Sequence, residues 1–335
     1  MDYIEGDLFS CIVTGDIRRL KVFVGKGLSV NHVFRSTEFP ERLGRTLLEI
    51  AVREKQTDVI QFLVEKGCNA NLTYVVSVSE IGYIIKPYRN PDRLKITVLF
   101  SCIVQGDVET IRLLVQGGFD VNVVDDRGCS AIWHAVDLAN YEMVKVMLCA
   151  KGSDVNLPDR TKLRPLHIAA IHGNTKILTL LLRHDAEVDA VQVRGSTALC
   201  LASRRGDLDS VRYLLLNGAD PNHVDCQGHT PLSSAIRGIS DVRVVSLLID
   251  AGARVTMGII QACQDENPLL VKEHPNVFSQ LRTLSCRPQT LQMLCSLKIR
   301  RCLMKSSRKL DLLRKSCHLP LPKALREYVI LSHLC

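Results

Sequence analysis

Five segments of this chain, beginning at Thr97, Ser130, Arg164, Thr197 and Thr230, are copies of one another. TVLFSCIVQGDVETIRLLVQGGFDVN is followed by SAIWHAVDLANYEMVKVMLCAKGSDVN, RPLHIAAIHGNTKILTLLLRHDAEVDA, TALCLASRRGDLDSVRYLLLNGADPN and TPLSSAIRGISDVRVVSLLIDAGARVT, at intervals of 33, 34, 33 and 33 residues. A unit this short cannot bury its own apolar face. Copies must therefore stack, and each contributes its core to the next. The apolar and Ala positions recur at helical spacing, which predicts two short helices per copy. An earlier copy, RTLLEIAVREKQTDVIQFLVEKGCNANL, begins near Arg45, and a degenerate one, DLFSCIVTGDIRRLKVFVGKGLSVN, begins near Asp7. Seven repeats result, five regular and two less so.

Each recurring residue has a physical cause. Thr or Ser at the first position caps the first helix by accepting a backbone N–H. Pro165 and Pro231 fall in the first turn, where a missing N–H costs nothing. Gly106, Gly173 and Gly206 mark the turn between the helices, where positive φ is expected, and Gly67, Gly118, Gly218 and Gly252 end the second helices. Asp185 takes that last place in RHDAEVD and tolerates a left-handed backbone better than most residues. Asp125–Gly128 and Asp225–Gly228 are expected at hairpin tips.

In spacing, in its T-P-L-H-x-A opening and in its G-A-D-x-N ending, this unit resembles the ankyrin repeat. The resemblance spans about 7–258 and is most specific over 97–258. It implies an all-α stack of helix pairs with hairpin loops, binding proteins along its first helices and hairpins. His167 holds the family's motif histidine and is expected to be structural. Trp133 stands where that histidine usually is, either filling core or anchoring a partner, and His134 is expected to face the groove.

Two departures interrupt the period. Thr46 to Thr97 exceeds one repeat by 18 residues, placing an insertion at 75–95. Its Tyr83 and Tyr88 are either interface residues or part of an inert loop. A smaller excess lies at 32–44.

Composition excludes other classes. Of 13 cysteines none forms a C-x-x-C, and Cys11, Cys102, Cys149 and Cys200 lie in apolar helical patterns, so reduced, buried thiols are expected. No P-loop, G-x-G-x-x-G, H-E-x-x-H or G-x-S-x-G occurs. No metal spacing is convincing. We therefore expect no catalytic residue, no metal and no cofactor. No apolar run is long enough to span a bilayer and the start, MDYIEGDLFSC, does not read as a leader, so the expectation is no membrane, a cytoplasmic location, and the nucleus left open. The net charge of +8 sits in residues 281–315, which hold ten Lys or Arg and one acid. The rest is close to neutral, which argues against nucleic acid along the repeats.

After Gly258 the period fades. Residues 259–288 are expected to form helices capping the stack, broken at Pro268 and Pro275. In 289–335, TLQMLCSLKI places Leu291, Cys295 and Ile299 on one helix face with Leu294 at its border. Further on, Leu319-Pro320-Leu321-Pro322 precedes KALREYVI. Together these resemble a SOCS box, here at the end of an ankyrin array, as in the ankyrin repeat and SOCS box family. The resemblance implies a three-helix domain in which Leu291, Leu294, Cys295 and Ile299 bind elongin C, and through it elongin B. It implies also that Leu319, Pro320, Leu321, Pro322 and Tyr328 bind cullin 5 with its RING partner. The function implied is a substrate receptor of a ubiquitin ligase for an unidentified protein. A non-degradative scaffold is the alternative, and a nucleic-acid role for the basic tail is a third class.

Overall fold

The computed structural model describes residues 2–35, 44–76, 94–238, 241–266 and 268–285. Among these, fourteen helices form seven consecutive pairs, the number the repeats predict. The chain divides into two compact units, Met1–Arg160 and Thr161–Cys335.

The first unit holds α1 (Asp2–Val13) with α2 (Ile17–Gly25), α3 (Leu47–Arg53) with α4 (Thr57–Glu65), α5 (Val98–Gln105) with α6 (Val108–Gln116), and α7 (Ala131–Asp137) with α8 (Tyr141–Leu148). First helices pack on first helices (α1 on α3, α3 on α5, α5 on α7) and second on second (α2 on α4, α4 on α6, α6 on α8). Leu8, Leu47, Leu63, Ile103 and Ile111 are fully buried between them. Each such side chain contributes about 1.5–3 kcal/mol over its exposed state.

Between α4 and α5, β1 (Tyr74–Val76) pairs antiparallel with β2 (Leu94–Ile96), Tyr74 opposite Ile96. Among the described residues this two-stranded ladder, with isolated bridges at Val33–Thr46 and Val124–Ser130, departs from all-α. At the smaller excess, Phe34 N–H donates to Arg45 O and Gly44 N–H to Phe34 O, both at 2.9 Å.

The second unit holds α9 (Pro165–His172) with α10 (Thr175–Arg183), α11 (Ala198–Arg205) with α12 (Leu208–Leu216), and α13 (Pro231–Arg237) with α14 (Val242–Asp250). Then follow α15 (Met257–Glu266), α16 (Pro268–Glu273) and α17 (Pro275–Ser285), the last two starting at the two prolines. α15 lies on α13 and buries Ile259, Ile260 and Cys263. These are the helices expected to cap the stack.

Caps follow the repeat. Thr46, Ser130, Thr197 and Thr230 each accept a backbone N–H from three residues on. Thr97 is the exception: its Oγ1 is buried without a partner. Second helices are capped by Asp16, Asp107, Asn140, Asn174, Asp207 and Asp241. The inter-helix turn is left-handed at Gly106, Gly173 and Gly206 as expected, and also at Lys55 and Ala139. Asp185 is left-handed too, with φ 64°. Gly6, by contrast, sits inside α1 with open space where a Cβ would go. Gly6→Ala is expected to stabilise the first unit by about 0.5–1 kcal/mol in urea unfolding, because it removes backbone freedom only from the unfolded chain.

Candidate functional site

The polar residues of the hairpin before α7 form one network. Asp125 begins a tight turn, its own N–H donating to Cys129 O at 3.0 Å and Gly128 N–H to Asp125 O at 2.9 Å. Its Oδ1 accepts the N–H groups of Arg127 and Cys129, each at 2.8 Å. Its Oδ2 lies 3.0 Å from His134 Nε2 and 3.5 Å from Arg127 Nε. Burial alone would raise the Asp125 carboxyl. The hydrogen bond and charge of His134 and the two N–H donors outweigh it and hold the carboxyl below its ordinary range.

Asp125, Cys129 and His134 offer donor atoms within 4.8 Å of one another. The atoms by which Asp125 and His134 face each other are already hydrogen-bonded. Both Asp125 oxygens are engaged, Arg127 supplies the neighbouring positive charge, and burial pushes the Cys129 thiol up to about 12, which keeps it protonated. The cluster therefore locks the hairpin onto α7. Cys11, Cys68, Cys102, Cys200 and Cys263 are likewise buried free thiols, whereas Cys149 and Cys226 are exposed. Cys149 thus departs from the expectation. It is the C-cap of α8, beyond the last buried turn.

His134 also departs from its expected place. It does not face a groove: its exposure is 0%, packed edge-on against Phe100 with centroids 5.5 Å apart. Trp133 is 8% exposed and covered by the Arg127 guanidinium 5.7 Å from its ring, which favours core filling over anchoring. His167 is structural as expected. Its Nδ1 accepts Arg164 N–H at 3.1 Å and its Nε2 donates to Ala190 O at 2.9 Å, which sets the tautomer.

In the second unit the first helices leave a different surface. Leu166, Leu199 and Leu232 share one repeat position and are buried. Five residues on, Ile171, Arg204 and Arg237 share another, and all three are exposed. His172 and Arg205 follow, also exposed. Arg205 Nη1 donates to Ile171 O at 3.0 Å, tying one repeat to the next. Val193 and Val224, on the two hairpins, are more than half exposed.

The other sequence-derived candidates lie outside the described residues. These are Leu291, Leu294, Cys295 and Ile299, then Leu319, Pro320, Leu321, Pro322 and Tyr328, and the insertion residues Tyr83 and Tyr88. No described helix is long and apolar enough to cross a membrane.

Comparison with known proteins agrees with this architecture. Ankyrin repeats in three copies match residues 81–159, 138–225 and 166–258, and a single ankyrin repeat matches 43–74. YahD of Escherichia coli (strain K12), named as an ankyrin repeat protein, is 32% identical over 157 residues, which are 44% of this chain and 76% of YahD. Ankyrin repeat and SOCS box protein 14 of Mus musculus is 31% identical over 307 residues, 81% of this chain. The chain spans only 49% of that relative's length. Among solved structures, the ankyrin repeat domain of Bcl-3 superposes with a TM-score of 0.56 at 25% identity, covering 72% of this chain and 96% of that one.

Proposed function

The chain belongs to the ankyrin repeat proteins, whose repeats mediate protein–protein interaction, and we propose that it is the substrate-recognition subunit of an elongin B/C–cullin 5–RING ubiquitin ligase. The observation that carries this reading is the order of parts in the sequence. An ankyrin array is followed by Leu291, Cys295 and Ile299 on one helical spacing, and then by Leu319-Pro320-Leu321-Pro322. The similarity to a mouse protein named for both parts supports it.

In this reading the repeats hold a target protein and the tail recruits elongin C through Leu291, with cullin 5 and its RING partner following. The chain supplies no catalytic group. It acts by proximity, raising the effective concentration of target lysines at a charged E2. The test is co-purification. The full chain, co-expressed with elongins B and C, is expected to retain both, and Leu291→Asp is expected to lose them, because a carboxylate cannot enter an apolar pocket unpaired. Equal recovery from both would sink the assignment. Pro320→Ala combined with Leu321→Ala is expected to release cullin 5 while the elongins stay bound.

The second reading is an interaction scaffold without ligase function. It is favoured by ankyrin relatives that are not named for a SOCS box, among them Rabankyrin-5 of Mus musculus. It predicts a bound target whose ubiquitination is unchanged when this chain is removed.

A further inference from the structure

We propose that the exposed ends of α9, α11 and α13 form a row that docks an acidic, extended segment of the target protein, with Arg204 as the carboxylate-binding group and Arg237, whose Nη1 touches His229, adding positive charge beside it. The inference rests on the repeats being the target-binding part and adds the chemistry of what they bind.

The row follows from repeat register. Ile171, Arg204 and Arg237 recur at one position of three consecutive repeats, and α9 packs on α11 and α11 on α13. His172 and Arg205 lie next to them. The three helices, PLHIAAIH, ALCLASRR and PLSSAIR, contain no Asp or Glu. In the first unit the equivalent positions are Arg53 in α3, Val104 in α5 and Asp137 in α7, so cations in consecutive repeats at this position are particular to the second unit.

The plain explanation is compensation of the helix dipole by cations at C-terminal ends. Some other helices follow that rule, α3 ending in Arg53 and α10 in Arg183, and others do not. α4 ends in Glu65, α7 in Asp137 and α14 in Asp250. Arg205 has a structural duty in its bond to Ile171 O. Arg204 has none among the described residues and stands exposed. Its guanidinium is therefore available for a bidentate carboxylate pair.

Charge spacing selects the class of partner. Packed helices lie 8–10 Å apart, so successive repeats present cations about two to three extended residues apart. That matches a chain bearing Asp or Glu at every second or third position. A duplex carries a charge about every 1.7 Å, far denser than this row. A peptide with local acids fits this spacing. Ile171, 39% exposed, offers an apolar contact at one end.

The experiment measures fluorescence anisotropy of a peptide of glycine, serine and alanine with glutamate at every third position, added to the full chain. Binding that weakens with added salt is expected, as is no binding of the same peptide with lysine for glutamate. Arg204→Glu with Arg237→Glu is expected to weaken the glutamate peptide at least about tenfold and to admit the lysine peptide. Arg204→Lys, which keeps the charge but not the fork, is expected to fall between. Unfolding curves confirm that these exposed substitutions leave the fold intact. Binding indifferent to the charge reversal would overturn the proposal. So would a single-stranded RNA that outcompetes the peptide. Either result leaves elongin capture through Leu291 untouched, so failure of this row and failure of the ligase reading are separable.

Discussion

Asp125→Ala is expected to destabilise the first unit by about 3–5 kcal/mol, the range for removing one partner from a buried, hydrogen-bonded charged network. The substitution strands the N–H groups of Arg127 and Cys129, and it leaves His134 Nε2 facing a void while Nδ1 already has no partner. Asp125→Asn should lose less, since its amide oxygen still accepts the two N–H groups. Urea unfolding measures both, and a change within about 0.5 kcal/mol for the alanine variant would mean that the hairpin is held by something else. The same network sets a pH dependence. The carboxyl is held below its ordinary value of 3.8 in the folded chain. Its stabilisation is therefore complete above 3.8 and lost as pH falls through the lower folded value. The acid limb of the stability curve should be shallower in Asp125→Ala.

The network also shows where sequence reasoning reached and where it stopped. The 33-residue period was enough to count seven helix pairs and to place the caps at Thr46, Ser130, Thr197 and Thr230, because capping is local. The burial of His134 is not visible in a single repeat, where Trp133 holds the motif position. Aligning repeats by column shows it: His134 shares its position with Ile168, Leu201 and Ser234, all of them buried. For Cys149 the same alignment gives Arg183 and Leu216, neither of them buried. The left-handed turns at Lys55 and Ala139 had no such signal. There the geometry of the helix pair imposes the backbone, and a non-glycine residue bears roughly 1–2 kcal/mol for it. The partner of the Arg204–Arg237 row was not legible either, since it depends on exposure across repeats rather than on any motif. The tail residues from Leu291 to Tyr328 are read from sequence alone.

Gly238→Ala is expected to cost about 2–3 kcal/mol, for a reason unlike that of the turn glycines. Its backbone is extended, with φ −79° and ψ 176°, which any residue adopts freely. The obstacle is space. A Cβ would overlap Arg204 O and lie 2.8 Å from its carbonyl carbon and 3.2 Å from its Cα. These are main-chain atoms of the neighbouring helix, so no rotamer change relieves the clash, and α11 and α13 must separate. Gly106 is the opposite case: its φ is +72° and nothing lies within 4 Å of its Cβ position. There Asn should recover part of what Ala loses, because Asn tolerates the left-handed region. At Gly238 neither Asn nor Ser should do better than Ala. A series of Ala, Ser and Asn at both positions, followed by thermal unfolding, separates dihedral strain from overlap. Gly238→Ala as stable as the parent would show that the two helices yield at no cost. Because that contact also sets the spacing of Arg204 and Arg237, the same variant should weaken the glutamate peptide even where the unit stays folded.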